Sequence, residues 1–139
     1  MKTGCFKYLS KNKLKGCISI SLLSSGNEQI KYEYKALVPN YKDFKLLKEK
    51  KISEAQFIEN FKNNLSSLNA EVVYSDLKSL VQGEEPILMT DGNKTNFCHR
   101  HLVAEWFFDE ISLEIDEVTV GKVIRSEGYM KKINNPTLF

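Results

Sequence analysis

Residues 86–101 decide the fold. They read Pro86-Ile-Leu-Met-Thr90, then Asp91-Gly-Asn-Lys-Thr-Asn96, then Phe97-Cys-His-Arg-His101. The first five are a short apolar run between helix and loop signals, which suits a strand buried in a parallel sheet. The next six are polar turn formers with one glycine, and they predict a loop. From Phe97 to Asp109, Leu102, Val103, Trp106 and Phe107 recur at helical spacing and give one apolar stripe. Buried strand, loop and helix in that order form the core step of an α/β layer architecture.

The rest of the chain extends this pattern. Thr3–Tyr8 reads as a short strand, followed by the basic segment Ser10–Lys15 and Gly16. Gly16–Leu23, with Ile18 and Ile20 alternating, reads as a buried strand, and Ser24–Asn27 as a turn. Ile30–Pro39 fits more than one element. Tyr41, Phe44 and Leu47 predict a helix between Asn40 and Lys50. Ser53 and Gln56 have the spacing of a capping box, with Ile52 and Phe57 placed as a hydrophobic staple. Phe57, Ile58, Phe61, Leu65 and Leu68 then share one helical face. Glu71–Val81 predicts another helix, with Val73, Leu77 and Leu80 inward and Gly83 past its end. Ile111–Val118 alternates like a strand, and the tail beyond Gly128 shows little pattern. The order predicts one α/β domain over 1–139, a Rossmann-like three-layer sandwich with a mainly parallel sheet.

Composition narrows the function classes. The chain has 139 residues, 42% hydrophobic and 27% charged, an ordinary soluble balance. Twenty Lys and Arg against 18 Asp and Glu give a net charge of +2, too even for a dedicated nucleic-acid-binding domain. A local basic patch stays open, so nucleic acid is a partner not favoured rather than excluded. Three cysteines, Cys5, Cys17 and Cys98, lack the spacing of a disulfide framework and point to a reducing, cytoplasmic compartment. No stretch resembles a signal peptide or reaches the ~18 apolar residues of a membrane span.

The candidate site lies at the junction of the opening stretch. In open α/β sheets ligands gather at the carboxyl ends of strands, where helix amino termini converge. Cys98 near the first helical turn is placed for thiolate formation, and His99 for proton transfer near neutral pH. Arg100 offers a planar fork of donors for phosphate or carboxylate. Ser19 and Ser21 on the early strand, with Thr90 and Asp91 on the late one, complete a ligand-binding set. A second reading makes Cys98 a small buried hydrophobe, pairs His101 with Glu105 on the helix surface, and leaves Arg100 tying helix to loop. Cys98-x-x-His101 supplies only two of the ligands zinc needs, so neither a metal nor a cofactor is expected. Glu84-Glu85 and the acids of Glu114–Glu117 read as solvated surface, and Phe6, Tyr8, Tyr32 and Tyr34 chiefly as core.

The run Phe97-Cys-His-Arg-His-Leu-Val-Ala-Glu-Trp106 resembles the family catalogued as domain of unknown function 488, in its shorter branch with a Cys-His-Arg-His-Leu-x-Ala-Glu/Asp-Trp motif. Leu37-Val-Pro39, Phe44–Ser53 with Gln56-Phe57, and Ile18-Ser19 extend the likeness over about residues 1–118, leaving 119–139 as an extra segment. The resemblance implies a compact Rossmann-like α/β fold and leaves the reaction unassigned. Many members end the late strand in Leu-Leu-Cys-Tyr-Glu, where this chain has Leu88-Met-Thr-Asp-Gly92. If the family reaction needs that Cys/Glu pair, the departure implies binding without turnover. Ser21–Gly26 replaces the family's aromatic and proline-rich stretch, so one rim of the pocket should differ.

The expected function is binding of a phosphate-bearing or nucleotide-like small molecule, with hydrolase or transferase chemistry open. The alternative is a non-catalytic sequestering or inhibitory protein of a mobile element or host-conflict system.

Overall fold

A computed structural model of the chain describes residues 1–11, 13–23, 25–93 and 95–133. The basic segment 10–15, the turn 24–27 and the loop 91–96 are thus described in part, and residues 134–139 lie outside. Among the described residues seven strands run β1 Lys2–Cys5, β2 Cys17–Ser19, β3 Tyr32–Glu33, β4 Ile87–Thr90, β5 Asp116–Glu117, β6 Val123–Ser126 and β7 Tyr129–Lys132. The α-helices among these residues are α1 Tyr41–Lys48, α2 Glu54–Ser66, α3 Ala70–Leu80 and α4 His99–Ile111.

The first five strands form one sheet in the order β3-β2-β4-β1-β5, parallel at every pairing. β4 is central and all four of its residues are buried, as expected of a strand covered on both faces. On one face Ile18, Ile20 and Leu88 meet Phe57, Phe61, Leu77, Val103 and Phe107 from the helices. On the other, Cys17, Ile87 and Met89 pack with Tyr8, Leu9 and Val118. The result is the three-layer α/β sandwich expected, with unequal outer layers. α-Helices build one; a 3-10 helix at Phe6–Ser10 and irregular chain around Leu14 and Ile30 build the other.

Local chemistry accounts for the helix starts. Asn40, Ser53 and Asn69 each accept a hydrogen bond from the backbone N–H three residues on, satisfying a donor the helix leaves free. The Gln56 side chain turns to Asn60 instead of back to the cap, so the capping box is half made.

Four elements differ from the sequence reading, the first being the expected Gly16–Leu23 strand, which is a strand only over Cys17–Ser19. The Thr3–Tyr8 strand ends at Cys5 and tightens into the 3-10 helix. Ile111–Val118 yields only the two-residue β5, because α4 runs on to Ile111 and reverses through Ser112 in the left-handed region. The unpatterned tail contains the antiparallel hairpin β6–β7. Its turn residues Glu127 and Gly128 both have positive φ, as a two-residue hairpin turn requires.

α4 is the element that positions the site. Seven of its residues are buried, including six consecutive ones from His99 to Ala104. Those six span more than a full turn, so the helix start packs against the sheet, α2, α3 and the hairpin. Three of the buried residues are His99, Arg100 and His101, and each must find polar partners.

Candidate functional site

Cys98 is the N-cap of α4, and its own N–H donates to the Gly128 carbonyl at 2.8 Å. Its sulfur lies 3.1 Å from Thr90 Oγ1 at the end of β4. Thr90 Oγ1 also accepts from Arg100 Nη1 at 3.2 Å. Behind it, Arg100 Nε and Nη2 reach the Glu117 carboxylate at 3.2 and 2.8 Å. Nη2 also donates to the Asn93 carbonyl at 3.2 Å. Glu117 further accepts from Thr3 Oγ1 at 2.6 Å and the Tyr8 hydroxyl at 3.0 Å. A carboxylate at the edge of the sheet therefore anchors a guanidinium, which supports a hydroxyl, which abuts the thiol.

The electrostatics follow this order. Burial opposes ionisation of Cys98, but the hydrogen bond and charge of His99, the charge of Arg100 and the Thr90 hydroxyl outweigh it. Together they bring the thiol down from 9.0 to about 6. With the sulfur ionised, Thr90 donates to it. Burial likewise opposes the charge on Arg100, yet Cys98 and Glu117 hold it more firmly protonated than usual. The Tyr8 phenol is pushed upward by burial and by Glu117, so it stays a donor.

The His99 ring packs edge-on to Phe61, and its Nε2 lies 2.6 Å from the Ile20 carbonyl. A carbonyl only accepts, so Nε2 carries a proton and Nδ1 is the nitrogen free to exchange one. His101 behaves differently. Its Nδ1 takes a hydrogen bond from Arg125 at 2.7 Å, and Arg125 also reaches the Ile115 carbonyl. Burial and the neighbouring Arg100, Arg125 and His99 charges push His101 down to about 2, so it is neutral.

A cavity of about 250 Å³ opens beside the thiol. Cys98, His99, Asp91 and Ser21 line it, so four of the seven residues expected at the site meet there. Ser19 opens instead onto a neighbouring cleft that shares Ser21. Thr90 and Arg100 are both fully buried behind Cys98. Arg100 is engaged by Glu117, Thr90 and Asn93 and does not line the cavity, so the structure gives it the support of Cys98. The cavity wall adds residues the sequence did not single out, notably Lys48, Glu54 and Tyr129.

Two expectations are corrected. Glu117 is not solvated surface; it is 1% exposed, because Thr3, Tyr8 and Arg100 surround it. The signal was present, since Glu117 keeps the inward parity of Leu113 and Ile115. His101 is no surface partner of Glu105: the ring is fully buried, and neither its Nε2 nor Glu105 Oε1 has a hydrogen bond. Among the described residues no three His, Cys, Asp or Glu side chains converge as a metal site would require, and no helix is long and apolar enough to cross a membrane.

No curated protein and no solved structure matches the chain significantly. A family model does: DUF488-N3a, described as the active DUF488-N3 subclade, matches residues 17–110, a span that includes Cys98, His99 and Arg100. That match covers more than half of the chain, which therefore belongs to the DUF488 family.

Proposed function

We propose that this protein is a cytoplasmic cysteine-dependent enzyme, a hydrolase or transferase acting on a small nucleotide-like ligand. The observation that carries the reading is a thiol held near 6, lining a cavity beside His99 at the start of a buried helix. The proton passes from Cys98 to His99 Nδ1, leaving a thiolate and an imidazolium. Sulfur then bonds to an electrophilic centre of the ligand as the leaving group departs with the proton from His99. Water or a second acceptor, deprotonated by the now neutral His99, displaces the sulfur and restores the thiolate beside a protonated His99.

The phosphate-bearing end of such a ligand has Lys48 and the amino end of α4 to face, Arg100 being engaged elsewhere. Among the described residues all three cysteines are free, in keeping with a reducing cytoplasm. The subclade's description as active supports turnover, and Thr90, where many members carry cysteine, supports Cys98 rather than leaving a gap.

The test is incubation of the protein with a panel of nucleosides and nucleotides, followed by chromatography of the products. A product that forms with wild type and not with Cys98→Ser supports the reading. A ligand that binds but returns unchanged after prolonged incubation favours sequestration, and product formation by Cys98→Ser at the wild-type rate contradicts the role of the thiol.

A further inference from the structure

The wall of the cavity beside Cys98 includes Tyr129 from the hairpin β6–β7. Tyr129 is the first residue of β7 and lies beyond the family-matched residues 17–110. Its hydroxyl donates to both oxygens of Glu54, at 2.9 and 2.8 Å, and both residues line the cavity with Cys98. The hairpin is pressed onto the helix start. A Cβ at Gly128 would lie 2.2 Å from the Phe97 ring, and the Gly128 carbonyl holds the Cys98 N–H. Tyr129 in turn meets Phe97 edge-on at 5.8 Å, and Phe97 meets Phe57 at 5.6 Å.

The cavity wall therefore combines the aromatic rings of Phe57, Phe97 and Tyr129 with the Glu54 carboxylate, while Asp91 is a second carboxylate and Lys48 covers the Phe44 ring. Such walls suit a flat ring. The Glu54 carboxylate adds direction. A single phenol proton shared between two oxygens leaves most of their lone pairs unused, so Glu54 retains capacity for a pair of N–H donors. Burial adds little, since both Glu54 and Tyr129 are exposed at the rim, Tyr129 at 39%. A ligand can thus reach them without unfolding anything.

We infer that Glu54 and Tyr129 form a specificity subsite that takes a planar nitrogen heterocycle by an edge carrying two adjacent N–H groups. Resting on the nucleotide-like reading above, the inference names the class: a base with a guanine-like N–H edge. The ring lies among the aromatic side chains with its N–H pair on Glu54, and the ribose side extends toward Cys98. The C-terminal hairpin, outside the matched family segment, contributes to what the site admits.

The test reads protection of Cys98 from iodoacetamide, by peptide mapping, with guanosine and 1-methylguanosine as the two probes. The second has the same ring system but lacks the N1–H. Guanosine is expected to protect at a concentration at least tenfold lower than 1-methylguanosine. Glu54→Gln should remove most of that difference, whereas Tyr129→Ala should weaken protection by both probes together. Equal protection by the two probes, no protection by either, or an undiminished preference in Glu54→Gln overturns the inference. The rate without any probe reports on the thiol alone. A thiol that ionises near 6 with no protection refutes the subsite and spares the catalytic reading; a thiol that does not ionise there refutes the catalytic reading by itself.

Discussion

His99 and His101 stand two residues apart on one helical turn and have opposite surroundings. His99 faces the cavity with Cys98, fixed by one backbone carbonyl and keeping a nitrogen for exchange. His101 faces the interior, takes a hydrogen bond from Arg125, and is held neutral by burial and the nearby Arg100 and Arg125 charges. Residues two apart on a helix point about 200° apart by its 3.6-residue period, so the turn divides into a wet face and a dry one. Arg100 and Glu117 belong to the dry face, Cys98 to the wet one, and Thr90 joins them. The division teaches that a polar run at a helix start can turn one side to a cavity and the other to the interior.

Breaking the dry face should have the largest effect. Glu117→Gln leaves Arg100, fully buried, without the carboxylate it pairs with. Loss of one partner of a buried ion pair costs roughly 3–5 kcal/mol, which corresponds to a fall in Tm on the order of 10 °C for a chain of this size. Differential scanning calorimetry measures it, and a fall of less than about 1 kcal/mol, the range of exposed pairs, would place the Arg100–Glu117 pair with ordinary surface salt bridges.

Gly128→Ala tests how firmly the hairpin closes the wet face. Its added Cβ meets the Phe97 ring and must sit at a φ of +85°. Strain of that kind costs on the order of 1–3 kcal/mol. Displacement of the hairpin should also free the Cys98 N–H and raise the rate of Cys98 alkylation. An unchanged rate with unchanged stability would show that the hairpin does not close the cavity.

The pH dependence separates the faces more finely. His101 has a folded value of about 2 against 6.5 when free, so below 6.5 the unfolded chain binds the proton that the folded chain refuses. Its contribution to stability is complete above 6.5 and is lost as pH falls toward 2, at no more than about 1.4 kcal/mol per pH unit. Cys98, depressed from 9.0 to about 6, acts with the same sign in a higher window, complete above 9 and lost as pH falls through 6. Urea denaturation as a function of pH should flatten below 6.5 in His101→Asn and between 6 and 9 in Cys98→Ser. The same slope in both variants as in wild type would contradict the two assignments.

Much of the fold was legible because burial leaves periodic traces. The apolar run at Ile87–Thr90 and the α2 face at Phe57, Phe61 and Leu65 record which sides are covered. The cluster Cys98-His99 was legible too, since its residue types and its place at a helix start both suggest chemistry. Partners from distant chain were not. Glu117 reaches Arg100 across 17 positions and Thr3 across 114. In sequence it sits in an acidic run that reads as solvent-facing. Arg100 looked like an anion holder for the same reason: its fork of donors fits a carboxylate equally well when the carboxylate belongs to the protein. Tyr129 lay in a segment without clear pattern, because a two-stranded hairpin with most residues exposed carries little alternation of apolar and polar residues.

His99, Arg100 and Thr90 together favour a Cys98 thiolate at neutral pH. The direct measurement is the thiolate absorbance in the far ultraviolet across a pH titration of wild type, with the titration of Cys98→Ser subtracted. A difference curve with its midpoint near 6 is expected. A midpoint at or above the ordinary thiol value of about 8.5 would contradict it and leave Cys98 a buried, inert side chain.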